Sequence, residues 1–589
     1  MAKFFRSLLF TVLGSIFTAL FIILIFFMVI AGITSSSEKQ VKIKHNTLLT
    51  INLNKVIKDR TVFNPLTELV GDSPFKNSAL GLNQILKNIE KASQDENING
   101  IFLECGTPAT GYATLSEIRN ALIKFKESGK FITAFSPDYS QKGYYLASVA
   151  NNIYLPPQGM LELKGLSSQR TFYKGALEKL GVEVQIFKHG KFKSAVEPYI
   201  LDKMSEPAKE QTIAYTSSIW NNVVNDIAET RNISSDKINE IADNGTMFLN
   251  NQLFVDAGLL NGLMYKDEVI SELKEITNTK ESDDIEQVSL SDYDYVYLPK
   301  ETKGLIKNKI AVIYAEGEID GTSDEGIKSD ELSKTIRKAR KDSSIKAVVL
   351  RINSPGGSGS GSDIIWREVK LCQETKPVIV SMGDVAASGG YYIACAADTI
   401  VATPTTITGS IGVFGMIPNT QKLMNKTLGI TFDGVKTNKF SDVPSITRPF
   451  TSDEKDIFQN YVNKFYEVFI GRCADGRNTT TDKIDEIGQG RVWSGENATN
   501  INLVDVMGGL NTAIEIAKEK AGLDTYRIKE MPEIELSPLE QVLKDMSTEA
   551  KAYAAKVFLG INLKEVEFLN KIKEIEPIQA RMPYNIEIN

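Results

Sequence analysis

This chain repeats itself, and the repeat limits its possible folds more than any bulk property does. In the first half, Gly143-Tyr144-Tyr145-Leu146-Ala147 matches Gly390-Tyr391-Tyr392-Ile393-Ala394 in the second. At the same spacing Ile98-Asn99-Gly100 falls opposite Ile345-Lys346-Ala347. One residue out of that register, Asp236-Lys237-Ile238-Asn239-Glu240-Ile241 matches Asp482-Lys483-Ile484-Asp485-Glu486-Ile487. A duplicated sequence implies duplicated packing, and 589 residues are too many for one core, so two related domains are expected. Positions where the copies have diverged then point to function.

Short apolar runs rich in β-branched residues, Ile98 to Leu103 and Ile345 to Ile352, predict buried parallel strands. Thr47 to Leu53 alternates as a strand. A helical pattern follows each buried run (Thr114 to Lys124, Asp363 to Lys370), then a second strand (Phe131 to Phe135, Val378 to Ser381). Longer helices are expected near Glu210 to Arg231 and Glu454 to Cys473. Repeated strand-helix-strand order predicts α/β layering. The expected domains are an anchor and linker over 1–40, a first repeat over 41–280, a connection over 281–308, a second repeat over 309–525 and a helical tail over 526–589. The tail has an amphipathic stretch from Leu536 to Lys573.

Residues Ser7 to Ser37 carry no charge, and Leu8 to Ile33 is almost wholly apolar. About 20 such residues cross a bilayer, and a cleaved signal has a shorter apolar core, so an uncleaved transmembrane helix is expected. Lys3 and Arg6 precede it, which predicts an N-terminus in the cytoplasm and a body outside it. The net charge of −7, with no basic stripe, argues against a nucleic-acid partner. Cys105, Cys372, Cys395 and Cys473 form no close-spaced motif and read as buried thiols. With only His45 and His189, an imidazole-rich metal site cannot be built, and a hydrolase on this chain would take its base from elsewhere.

The diverged positions carry the chemistry. Ser388, in Ala386-Ala387-Ser388-Gly389-Gly390, falls opposite Gln141. Small neighbours let a substrate backbone approach, and a helix N-terminus favours developing negative charge. The plain alternative is a serine in a tight turn. A hydroxyl nucleophile needs a base, and a lysine serves if its pKa is lowered. Lys193 falls opposite Ser441, whereas its competitor Lys191 has a counterpart in Lys439, which suggests a shared structural role. Gly356 and Gly357, after the strand Val348 to Ile352, offer backbone N–H groups to an oxyanion. The first copy has Thr107-Pro108-Ala109-Thr110 there. Ser410, flanked by Gly409, is a candidate to orient the lysine amine.

Taken together, Asn353-Ser354-Pro355-Gly356-Gly357-Ser358, Ala387-Ser388-Gly389-Gly390-Tyr391, Thr408-Gly409-Ser410-Ile411-Gly412 and Lys193-Ser194-Ala195-Val196-Glu197-Pro198 resemble the signal peptide peptidases of the protease IV type, in their long duplicated form. The resemblance covers about residues 45 to 520. It implies tandem domains related to crotonases and the Clp proteolytic subunit, and a homotetramer on the outer face of the cytoplasmic membrane. Cleaved signal peptides and other apolar peptides would be its substrates, and no metal or cofactor is called for. It puts the nucleophile at Ser388, the general base at Lys193, the lysine-orienting hydroxyl at Ser410 and the oxyanion hole at Gly356 and Gly357. Two other readings stay open: a crotonase-like acyl-CoA enzyme, and a non-enzymatic membrane scaffold on a protease-like frame.

Overall fold

The computed structural model describes residues 41–61, 79–245, 250–298, 306–322 and 326–533, with Gly14, Ser15, Phe17 and Thr18 besides. The apolar run expected to anchor the chain therefore lies almost wholly outside the described residues, and the amphipathic stretch beyond Leu536 lies wholly outside them. Among the described residues no helix is long and apolar enough to cross a membrane.

The first half runs β1 (Thr47–Asn52), α1 (Leu82–Gln94), β2 (Ile98–Glu104), α2 (Tyr112–Glu127), β3 (Phe131–Phe135), α3 (Gln141–Ala147), β4 (Asn152–Leu155), α4 (Lys174–Leu180), β5 (Glu183–Lys188), α5 (Glu206–Arg231), β6 (Gly262–Leu263) and β7 (Gln287–Ser289). The second half runs β8 (Lys309–Glu316), α6 (Ser329–Lys341), β9 (Ile345–Ser354), α7 (Gly359–Gln373), β10 (Val378–Ala387), α8 (Gly389–Ala394), β11 (Thr399–Ala402), β12 (Ile407–Gly409), β13 (Phe414–Asn419), α9 (Ser452–Gly476), β14 (Val492–Ser494), β15 (Val506–Met507), α10 (Leu510–Lys520) and β16 (Arg527–Met531).

The duplication holds strand by strand. The first sheet has the order β6-β4-β3-β2-β1-β7, all parallel. The second follows the same path, β15-β11-β10-β9-β8-β16, again parallel. The helices α5 and α9 correspond as well, capped by Ser205 and Thr451, whose side chains accept from the backbone N–H three residues on.

At the end of the third strand the copies differ only in continuity, since Asp138 pairs with Met160 in the first half as Val385 pairs with Ile407 in the second. β10 runs on to Ala387, and its last residues pair with β12, which pairs antiparallel with β14. In the first half β3 stops at Phe135, and Pro137, which has no N–H for a ladder, follows.

The halves share a core. Along β9, Ala347 and Val349 pack with the first half's apolar cluster, whereas Val348, Leu350 and Ile352 face the second half's own. Side chains alternate across a strand, so Arg351 points toward the first half. It is fully buried there, with Nε 2.8 Å from Asp59 Oδ1 and Nη2 2.7 Å from Glu117 Oε1. Asp384, on β10, accepts from the amides of Gly111 and Thr114 at the start of α2 (3.2 and 3.0 Å) and from the Thr114 hydroxyl at 2.8 Å. Helix α2 of the first half is thus tied to both strands that lead into the second half's glycine and serine motifs.

Two boundaries differ from expectation. Within the expected connection 281–308, β7 pairs with β1 (Leu49↔Val288), and Tyr293 is buried with its hydroxyl on Asp95 Oδ2 at 2.9 Å. Within the expected helical tail, Arg527–Met531 is a strand paired with β8 (Ile310↔Ile528). Both are short edge strands with one buried residue each, Val288 and Met531, so neither carries a buried strand's apolar signature.

Candidate active site

The site forms because an antiparallel ribbon joins the two halves. β5 pairs with β13, setting Lys188 opposite Phe414. Beyond the strand, the His189 amide donates to Val413 O at 3.0 Å, so the pairing continues toward Ser410 from one side and Lys193 from the other. Gly412 and Gly490 make room for the lysine. A Cβ on Gly412 would lie 3.3 Å from Lys193 Cδ, and one on Gly490 would lie 2.7 Å from Lys193 Cα.

Ser388 sits between the end of β10 and the first turn of α8. Its backbone has φ 54° and ψ −116°, a region that side-chain-bearing residues seldom occupy. Two backbone bonds hold it: the Ser388 amide donates to Gly409 O, and its carbonyl accepts from Tyr392, each at 2.9 Å. Observed strain of this kind is common where a side chain must be presented to a reaction.

Lys193, 3% exposed, meets Ser388 directly. Its Nζ lies 3.0 Å from Ser388 Oγ, 3.0 Å from Ser410 Oγ and 3.1 Å from Ser410 O. Burial pushes its amine from 10.5 down to about 7. Ser410 is itself in the left-handed region (φ 50°) after Gly409 (φ 75°), and its amide donates to Arg491 O at 2.7 Å. The Lys193 amine therefore touches both serine hydroxyls expected to act with it.

Of the glycine pair, Gly356 lies against Ser388, but its N–H donates to Ser354 Oγ at 3.1 Å, so it is not the free oxyanion donor expected of it. At Gly356 φ is 99°, and a Cβ would come within 2.6 Å of Gly389 N and 3.0 Å of Ser388 Cβ. Gly357, with φ 149°, forms a parallel bridge to Ile319: the Ile319 amide donates to Gly356 O and the Ser358 amide donates to Ile319 O, both at 2.9 Å. In such a bridge the central residue's own N–H points the other way. The Gly357 N–H thus faces away from Ile319, and the Gly389 N–H opens the first turn of α8 beside it. Gly389 was not singled out from the sequence, although its place directly after Ser388 at a helix start is a usable signal of a free N–H.

The rejected candidates are elsewhere. Lys191 is exposed, its Nζ 4.8 Å from the Phe192 ring centroid, and Lys439 lies in the same way 5.1 Å from that of Phe440. Lys439 is also paired with Asp453. His189 lies on the Tyr466 ring at 4.0 Å, with Nδ1 3.0 Å from Asn463 Oδ1, and His45 is exposed. Ser441, opposite Lys193 in the repeat, is on an exposed loop. All four cysteines are buried thiols.

In the first half, the place of Ser388 is filled by Gln141. Its Oε1 accepts from the amides of Lys164 and Gly165, both at 2.9 Å, and its Nε2 donates to the Tyr112 hydroxyl at 2.9 Å and to Gly165 O at 3.3 Å. Every hydrogen-bonding capacity of that amide on the inner side is used, so the equivalent position is closed.

The sequence pattern of peptidase family S49 matches residues 124–280 and 370–524, one match in each half. The chain is 33% identical over 550 residues to the chloroplastic serine protease SPPA of Arabidopsis thaliana, covering 92% of this chain and 78% of that one. It is 35% identical to Protease 4 of Salmonella typhi (86% and 83% of the two chains). With Protease 4 of Haemophilus influenzae it shares 32% identity over 92% of both. The chain belongs to peptidase family S49, as a serine peptidase of the protease IV type with the family domain in two copies.

Proposed function

We propose that Ser388 and Lys193 form a catalytic dyad that hydrolyses apolar peptides, discarded signal peptides among them, at a membrane surface. The observation that carries this is the set of three contacts made by the buried Lys193 amine, one to Ser388 and two to Ser410. A neutral amine has two N–H donors and one lone pair. Donation to Ser410 Oγ and Ser410 O leaves the lone pair for the Ser388 O–H.

The reaction then proceeds as follows. Lys193 takes the Ser388 proton as Oγ attacks the peptide carbonyl. The Gly357 and Gly389 N–H groups, next to Gly356, stabilise the oxyanion that forms. Lys193, now an ammonium, gives its proton to the leaving amine, and the C–N bond breaks to leave an acyl-enzyme. Water, deprotonated by Lys193, attacks the ester, and the proton returns to Ser388 Oγ. Burial of Lys193 keeps a usable fraction of the amine neutral near pH 7.

Location and assembly follow from the chain outside the site. Leu8 to Ile33 serves as a single membrane anchor with Lys3 and Arg6 inside, so the body lies outside the cytoplasm, where released signal peptides are found. An assembly of several copies, a tetramer by family resemblance, is supported by large apolar side chains left exposed in the described chain. They include Leu180 on α4 and, separately, Leu428, Phe432 and Val435.

The test is hydrolysis of an apolar signal-peptide substrate by the full-length chain in detergent. Ser388→Ala and Lys193→Met abolish turnover, and Lys191→Met retains it. Hydrolysis that survives Ser388→Ala overturns the mechanism.

A further inference from the structure

We infer that Gln211, on α5, is a positioning residue that holds both Lys193 and Ser410 in register, an inference that rests on the dyad reading above. Gln211 is 1% exposed, and its carboxamide spans the gap between the lysine loop and the second half. Nε2 donates to Phe192 O at 2.9 Å and to Ser194 Oγ at 3.0 Å, the two residues flanking Lys193. Oε1 accepts from the Val492 amide at 3.0 Å. The backbone fixes this orientation. Val492 N can only donate and Phe192 O can only accept, so a flipped amide would lose both bonds.

What Gln211 grips matters on both sides. Phe192 is pinned twice, since its amide also donates to Gln489 O at 3.0 Å. Only Gln211 holds its carbonyl among the described contacts. On the other side, Val492 pairs with Gly409 across β14 and β12, and the neighbouring Arg491 carbonyl takes the Ser410 amide at 2.7 Å. One side chain therefore fixes the spacing between the strand that carries Ser410 and the loop that carries Lys193. The gap it spans is the one that the Lys193 Nζ to Ser410 contacts must close.

The repeat supports the assignment independently. Helices α5 and α9 start at Glu206 and Ser452, which puts Gln211 opposite Ile457. Ile457 is 47% exposed and the loop around Ser441 is exposed too, so the copy without the lysine also lacks the amide that would hold it. Gln211 thus follows the same one-copy rule as Ser388 and Lys193.

The experiment measures kcat and KM separately for full-length wild type, Gln211→Met, Ser388→Ala and Lys193→Met on one apolar peptide substrate. Melting curves are recorded for each. Gln211→Met keeps the side chain's length and removes all three bonds. Its kcat is expected to fall about 10- to 100-fold, the scale of a misplacement of a reacting group by about 1 Å, with KM within about threefold. If Gln211→Met does not fold, Gln211→Glu, which keeps an acceptor for Val492 and loses both donors, carries the same test. Wild-type kcat in a folded variant, with only a lower melting temperature, overturns the inference while Ser388→Ala and Lys193→Met stay inactive. Turnover surviving in either of those two brings down the dyad reading itself.

Discussion

The pH dependence of turnover follows from one number at the site. Burial lowers the Lys193 amine from 10.5 to about 7, and the mechanism uses its neutral form. In that case about a tenth of the free enzyme is competent at pH 6 and about nine-tenths at pH 8. A lysine at its ordinary pKa would be neutral in only about 0.3% of molecules at pH 8, and activity would still be climbing tenfold per unit at pH 9. The quantity to measure is kcat/KM between pH 5.5 and 9.5 on an uncharged apolar peptide, because it reports the free enzyme's essential groups. The expected profile rises with unit slope below about pH 7 and is level from about pH 8. A unit slope continuing through pH 9 would show that the amine is not lowered. A flat profile down to pH 5.5 would show that no group of this kind is the base. Either result refutes the reasoning from burial to basicity.

The same burial has a cost in stability. The unfolded chain holds the Lys193 proton up to about pH 10.5 and the folded chain releases it above about 7, so between these values the unfolded state binds the extra proton and stability rises with pH. At about 1.4 kcal/mol per pH unit the penalty at or below pH 7 is about 5 kcal/mol, and it fades toward pH 10.5. Lys193→Met, inactive, is therefore expected to be more stable than wild type by a few kcal/mol at pH 7. Denaturant titrations should show that margin shrinking by about 2 kcal/mol by pH 9, and a margin that grows with pH contradicts the assignment. Ser410→Ala removes the hydroxyl contact and leaves the carbonyl contact to Nζ. Initial-rate assays should show kcat down about 10- to 100-fold with KM little changed. Arg351→Met strands the Asp59 and Glu117 carboxylates in the interface between the halves. Denaturant titration should find a loss of about 3–5 kcal/mol, much of it recovered when Asp59→Asn and Glu117→Gln are added.

Much of the site was legible because the chain carries its own comparison. Ser388 against Gln141 and Lys193 against Ser441 stand out only when the halves are aligned, and both contrasts correspond to a built site in one copy and a closed or exposed position in the other. The buried strands were legible too, since Ile345 to Ile352 and Ile98 to Leu103 are apolar on both faces. The edge strands β7 and β16 were not, because an edge position asks for no apolar run and their pairing is long-range. Nor was the β5–β13 ribbon. Phe414, Met416 and Pro418 of β13 are exposed, and nothing local in Glu183–Lys188 says that its partner lies more than two hundred residues away. Gln211 was hidden for a related reason: a glutamine on a long helix reads as a solvated face until the loop it serves is folded against it.

The two copies divide the work in a way that makes the inactive positions structural necessities. The first half contributes Lys193 from a loop whose geometry depends on Gln489, Gly490 and Val492 of the second, so it cannot present the amine alone. The second half contributes Ser388 at the end of β10, and Asp384, four residues earlier, spends its carboxylate on the N-terminus of α2 in the first. Arg351, on the neighbouring strand, is buried by carboxylates that the first half supplies. The closed Gln141 position fits this division. Were it an open serine turn, the first half would have a nucleophile with no lysine near it, because Ser441 lies on an exposed loop. Restoring Gln141→Ser in a Ser388→Ala background should accordingly yield no hydrolysis of the apolar peptide. Recovered turnover would mean that the hydroxyl alone carries the chemistry and that the split between the halves is incidental.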